Sequence, residues 1–279
     1  QHTVRDVGAG GGQANAGVGH GANLTFRRLR SVLILLPPSE SKTNRRHGKP
    51  VDPASWSFPE LNPVRAQVAK ALAAVSASPG APALLDVSPG LLDDIARNLV
   101  LDSAPSTPAA EVYTGVLYDA LGLASLDTAA RRRANRWIVV VSALYGAVRP
   151  TDRIAAYRLA MGTTLPDVGA LAAAWRPALD QVLPPLVGRG VIVDCRSAPY
   201  AAAWRPGGDL THRWVQIRVP GASHMAKHTR GLVARHLCEV GTDPRSVPAL
   251  ADVVGEAFTV ALHEPASARA PWVLDVSAP

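Results

Sequence analysis

Three separated segments of the chain carry residue types that hold negative charge. The first is Pro38-Ser39-Glu40-Ser41-Lys42-Thr43. Its backbone N–H groups, the Ser39 and Thr43 hydroxyls and the Lys42 ammonium together suit a phosphate or a carboxylate. The GxxxxGK[ST] spacing of a Walker loop is absent. Ser39 and Lys42 have the SxxK spacing of some serine acyl-enzymes, but no SDN or KTG partner accompanies them, so acyl transfer rests on that spacing alone. The second segment, VSALYGAVRP from Val141 to Pro150, runs on through Asp152, Tyr157 and Arg158 to Gly162. Gly146 permits a tight turn. Tyr145 offers a hydroxyl, and Arg149 and Arg158 offer forked donors that fit an anion. The same two arginines fit structural pairing with Asp152 equally well. In the third segment, Ser223 to Gly231 (SHMAKHTRG), helical spacing puts Lys227 and Arg230 on one face. A stripe that contacts phosphates and an ordinary solvated face both match that pattern.

Metal and thiol chemistry have weaker footing. His224 and His228 stand at i,i+4, a spacing that can share one ion, but the glutamate of a zincin and a third ligand are missing. No metal and no other cofactor is expected. Cys195 and Cys238 form neither a CxxC motif nor a disulfide framework, which suits a reduced, cytoplasmic protein. Cys195 adjoins Arg196, a neighbour that can lower a thiol pKa and make it a peroxide sensor; a buried, inert thiol is the alternative.

These segments hang on buried elements. Apolar runs at Val32–Leu36, Trp137–Ser142 and Val191–Asp194 read as covered strands, and each leads directly into a polar loop. Trp214–Val219 and Trp272–Val276 read as further strands. Helical spacing covers residues 61–76, 109–126, 171–186, 225–240 and 247–262. Residues 84–99 read as helix, tight turn, helix around Ser88-Pro89-Gly90. The alternation predicts an α/β (or α+β) domain over residues 31–279 with a covered mixed sheet. Loops at strand carboxyl ends are where such folds place ligands. The Gly-rich residues 1–30 lack apolar periodicity and are expected to be disordered.

Bulk composition agrees with an anionic partner. The 279 residues are 47% hydrophobic and carry a formal net charge of +7. A core of useful size can be buried, and the basic balance favours phosphates or nucleic acid. No apolar run is long enough to span a bilayer and no h-region opens the chain, so no membrane association is expected. The sequence sets no oligomeric state.

Taken together, the motifs resemble the YaaA-type peroxide stress protein family. Its SPAKT after the opening strand resembles LLPPSESKT here, and its VYTG matches Val112 to Gly115. Its LSGLYGVLRPLD and PYRLEMG match VSALYGAVRPTD and AYRLAMG between Val141 and Gly162. Its strand with VxNLAS resembles VIVDCRSAPY at Val191–Tyr200, and AKKARGLMSRF resembles AKHTRGLVARH at Ala226–His236. Order and spacing hold over about residues 32–240. This sequence has Asp194-Cys195-Arg196 where the family more often has Asn-Leu-Ala, and His228-Thr229 replaces Lys-Ala.

The resemblance implies a positively charged cleft, a helix-hairpin-helix-like element at about Leu84–Leu99, DNA binding, and protection from peroxide with lowered free iron. Amides at the Ser88-Pro89-Gly90 turn would hold a duplex phosphate without reading sequence. The expected anion- or DNA-binding set is Ser39, Lys42, Thr43, Tyr113, Tyr145, Arg149, Arg158, Lys227 and Arg230. A second reading follows from the residue types themselves. Tyrosines at fixed positions are more specific than nonspecific DNA contact requires, so the same cleft suits an enzyme acting on a phosphorylated or carboxylated small molecule.

Overall fold

The structure is a computed structural model that describes residues 32–221 and 223–277. The expected N-terminal extension, residues 1–30, lies outside the described residues. A seven-stranded mixed sheet forms the centre. Its strands in chain order are β1 (Leu33–Leu36), β2 (Ile138–Ser142), β3 (Gly146–Val148), β4 (Ile192–Asp194), β5 (Trp214–Arg218), β6 (Thr259–His263) and β7 (Trp272–Ser277). Their spatial order is β6-β7-β5-β4-β1-β2-β3.

Five strands, β7-β5-β4-β1-β2, run parallel, and an antiparallel strand closes each edge. Every residue of β1, β2 and β4 is buried. That explains why these strands read as continuous apolar runs, as parallel strands covered on both faces do. In register, Leu35 lies between Val139 of β2 and Asp194 of β4. The chain moves from β1 to β2 on one side, then returns to β4 on the other side of β1. The carboxyl end of β1 is therefore a topological switch point, where doubly wound sheets open a crevice.

The main helices are α1 (Asn62–Ser76), α2 (Val116–Leu121), α3 (Thr128–Trp137), α4 (Leu171–Val182), α5 (Ser223–Val240) and α6 (Val247–Gly255). Helix α5 packs along α2, α3 and α6, while α1 contacts α4. The predicted strands and the helices at 61–76 and 225–240 form within a few residues of their expected bounds.

Four expectations change. The helix expected over 109–126 breaks at Tyr113–Gly115, where Tyr113 is extended and Gly115 takes φ 91°. The helix expected over 247–262 ends at Gly255, because Val260 and Leu262 alternate along β6 and pair with β7. The helix expected to reach 186 stops at Val182, and Pro184 opens a separate short turn of helix. Helix α3 has no counterpart among the expected elements; the Asp127 side chain caps it by accepting from Ala130 N at 2.8 Å.

Segment 81–100 consists of two short helices, Ala81–Leu84 and Leu92–Ala96, with a 3₁₀ turn at Pro89–Leu91. Ser88 is extended. The left-handed backbone falls on Asp86, at φ 52°, and not on Gly90. The second helix carries Asp93 and Asp94 in its first turn.

Candidate functional site

The broken helix creates the site. Because Tyr113 is extended, it forms an isolated antiparallel bridge with Lys42, and Thr43 N donates to Val112 O at 2.9 Å. The loop leaving β1 is thus stitched to the 112–114 segment. Ser39 Oγ accepts from Thr114 N at 3.0 Å and donates to Ser41 O. Tyr118 OH donates to Pro37 O at 2.7 Å. Lys42 Nζ then lies 4.3 Å from the Tyr157 ring centroid and 6.0 Å from that of Tyr113. It donates to Ser39 O at 2.6 Å and to Glu40 O at 3.3 Å. The Ser39 hydroxyl faces the backbone, and the Lys42 amine meets the Ser39 carbonyl, so the SxxK spacing does not build a Ser–Lys dyad.

Of the five tyrosines of the chain, Tyr113 and Tyr157 flank this lysine, and Tyr118 and Tyr145 pack against those two. Tyr113 and Tyr157 hydroxyls stand 3.4 Å apart, and Ser142 Oγ, at the end of β2, is 2.7 Å from Tyr157 OH. The rings of Tyr113 and Tyr118 lie 5.4 Å apart, as do those of Tyr145 and Tyr157. Burial pushes the Tyr113, Tyr118 and Tyr157 phenols well above their ordinary 10.0. Tyr200, at the helical turn after β4, rises to about 12 for the same reason. All are neutral hydroxyls at neutral pH. Burial lowers the Lys42 ammonium from 10.5 to about 7, and the neighbouring Arg158 guanidinium pushes in the same direction.

Tyr157 and Arg158 lie on a segment without a strand partner, and side chains supply the missing backbone bonds. Asn98 brackets Arg158, accepting from its N–H at 2.8 Å and donating to its carbonyl at 2.9 Å. Tyr145 OH brackets Ala155 in the same way, at 3.2 and 3.3 Å. The guanidinium of Arg158 reaches the exposed Glu40 carboxylate at 3.7 Å and donates no hydrogen bond among the described residues.

The remaining expected residues are placed elsewhere. Arg149 follows β3, which runs antiparallel to β2, so it reaches back to the start of β2. There it donates to Ile138 O at 3.2 Å and to Arg136 O, and burial lowers it to about 10. Its partners are structural carbonyls, and Asp152 instead accepts from the Arg149 backbone N at 2.7 Å. Arg230 Nε donates to Ile217 O at 3.0 Å near the end of β5. Lys227 is exposed, and so is Thr43. Gly231 sits against Leu117, and Arg235 against Leu121 and Gly122.

Cys195 is fully buried, and burial raises its thiol to about 12. Arg196, which was to activate it, is committed to Asp194 by bonds of 2.8 and 2.7 Å, and Trp214 Nε1 donates to the same carboxylate. The geometry is that of the inert thiol. Among the described residues no group of three or more His, Cys, Asp or Glu gathers for a metal; the His224 side chain lies outside them. No helix of the described residues is long and apolar enough to cross a membrane.

Sequence reasoning missed Asn98, Tyr118, Ser142, Tyr200 and Glu40 as parts of this site. Asn98 had a faint signal as the one polar residue on the buried side of an apolar segment. A cavity of about 150 Å³ lies beyond Tyr145 and is lined by Trp56, Leu101 and Leu144 among others. Lys42, Tyr113, Tyr157 and Arg158 are not among its walls.

The family model described as "Peroxide stress protein YaaA" matches residues 32–261, beyond the 32–240 stretch where motifs were legible. The chain is 44% identical to UPF0246 protein SCO2297 of Streptomyces coelicolor over 254 residues, which cover 88% of this chain and 98% of that protein. It is 37% identical to UPF0246 protein CE1889 of Corynebacterium efficiens, over 84% of this chain and 96% of the relative. A more distant relative, UPF0246 protein RD1_0358 of Roseobacter denitrificans, is 32% identical over 63% of this chain and 77% of its own length. With a mixed α/β sheet and the family's motifs in order, the chain belongs to the YaaA peroxide stress protein family.

Proposed function

We propose that this member of a peroxide stress family receives a compact anionic group, carboxylate or phosphate, at the Lys42–Arg158 cluster. The observation that carries the reading is the state of Arg158. A half-buried guanidinium, held by its backbone through Asn98, has only the exposed Glu40 carboxylate, at 3.7 Å, to answer its charge. An incoming anion displaces that loose contact and gains charge-assisted, forked hydrogen bonds. Of the neutral phenols, Tyr113 and Tyr157 donate to no backbone carbonyl among the described residues and supply a further donor. Such fixed hydroxyls fit a small phosphorylated or carboxylated molecule better than a bare stretch of phosphodiester.

The test is titration of the full chain with inorganic phosphate and with a simple carboxylate. Arg158→Gln is expected to weaken binding about tenfold or more, in line with the roughly 1.5–3 kcal/mol of a charged hydrogen bond. Arg149→Gln should leave affinity within about twofold while lowering Tm, because it removes bonds to backbone carbonyls. Equal losses from the two variants, or none from Arg158→Gln, would reject the site.

A second reading has its own support. Arg45, Arg46, His47 and Lys49 follow the site along an exposed loop, and Lys227 is exposed on α5, which packs along α2. A duplex laid over this rim would meet phosphates with cations, and coverage of DNA would limit iron-dependent oxidative damage there. Segment 81–100 adjoins the same region through Asn98, but Asp86 and Asp93 are exposed on it, which weakens a phosphate contact at that turn.

A further inference from the structure

The Lys42 amine is more elaborately built than a phosphate contact requires. It forms no salt bridge among the described residues. Two backbone carbonyls, Ser39 O at 2.6 Å and Glu40 O at 3.3 Å, accept from it. Two acceptors satisfy both hydrogens of a neutral amine and leave one short of the three that an ammonium offers. The charged groups that bear on it are Arg158 and Arg97, opposed by Glu40 and Asp94, so the cations and anions around it balance in number. Phenolic hydroxyls that stay protonated, Tyr113 and Tyr157, share the cluster and are linked onward to Ser142. A desolvated lysine beside a second cation is the usual arrangement of an amine that attacks carbonyl carbon at neutral pH.

We propose that Lys42 forms an imine with the carbonyl carbon of a small oxo acid whose carboxylate pairs with the Arg158 guanidinium. This inference rests on the anion site above and names its substrate class. In the step, the amine lone pair forms the C–N bond while the C=O π pair moves to oxygen. The oxygen takes up a proton from the phenol cluster, and the amine returns one. A phenol of the cluster then protonates the carbinolamine hydroxyl, which leaves as water while the nitrogen lone pair closes C=N, and the iminium N–H returns its proton to that phenolate to leave the neutral imine. One water is released and nothing is oxidised or reduced. Glu40, exposed and 3.7 Å from Arg158, stands where the substrate carboxylate would bind.

The chain makes this easy to read, because its only lysines are Lys42, Lys49, Lys70 and Lys227. The full chain is incubated with pyruvate and cyanoborohydride at pH 7, and the reduced adduct is located by peptide mass. Label at Lys42 about tenfold above each of the other three lysines is expected, as is loss of that label on Lys42→Arg. Arg158→Gln should cut trapping of pyruvate about tenfold more than trapping of neutral acetaldehyde, since both carbonyls feel the change at the amine but only pyruvate loses its carboxylate partner. Label spread evenly over the four lysines, or an equal effect of Arg158→Gln on both carbonyls, would overturn the proposal. Phosphate titration of the same samples separates the two failures. Phosphate binding without label at Lys42 removes the imine and leaves the anion site, whereas loss of both removes both.

Discussion

At the scale of single residues, burial decides what each group can do. Lys42 has an amine lowered to about 7 in the folded chain and ordinary once unfolded. Between about pH 7 and 10.5 the unfolded chain therefore binds more protons at this residue, so its destabilising effect shrinks as pH rises through that window. Below pH 7 both states are protonated and the cost of burying the charge is present in full. Lys42→Met should accordingly stabilise the protein more at pH 6 than at pH 9.5, measured as the difference in denaturation midpoint from the parent chain. A stability gain independent of pH would mean that the amine is not desolvated. Cys195 yields the opposite kind of expectation. With its thiol buried and raised to about 12, mild peroxide should leave it unmodified in the folded chain, and mass spectrometry should find it reactive only after denaturant is added.

At the scale of elements, close approach between helices fixes the frame. An added Cβ on Gly231 would lie 2.2 Å from Leu117 O, a backbone atom that cannot rotate away. Gly231→Ala should thus separate α5 from α2, costing about 1–3 kcal/mol as overpacked interfaces do. Since α2 begins two residues after Thr114, the same variant should also loosen Lys42, and anion affinity should fall with stability. The hairpin between β2 and β3 depends on Gly146 in a similar way. Its φ is 70°, and an added Cβ would meet the Trp175 ring at 2.5 Å. Gly146→Ala combines left-handed strain with a clash, so a loss of about 2–4 kcal/mol is expected in chemical denaturation. This turn was legible from Gly146 alone. The break at Tyr113–Gly115 was not, since Ala109–Leu126 has helical apolar spacing, and the bridge to Lys42 is a contact between distant residues.

At the scale of the whole molecule, net charge and its placement set how polyanions are met. The formal charge is +7, and loop 45–49 and Lys227 present exposed cations that a polyanion could meet. If duplex DNA binds there, log K should fall linearly with log salt, and Lys227→Ala or Arg46→Ala should each reduce the slope by about 1 for every sequence tested. Fluorescence anisotropy across a salt series reads this directly. A slope unchanged by both variants would place any DNA contact elsewhere.

The covered strands, the polar loops at their ends and the family were settled by the sequence alone, because buried parallel strands and the loops that follow them are written in consecutive residues. Which charges meet was decided only by tertiary structure. Arg149 and Arg158 have the same side chain and lie nine positions apart, yet β3 turns antiparallel and carries Arg149 to the start of β2, while Asn98 and Tyr145 hold the 155–158 segment beside Lys42. Strand order and backbone brackets of this kind join residues tens of positions apart, and no local spacing encodes them.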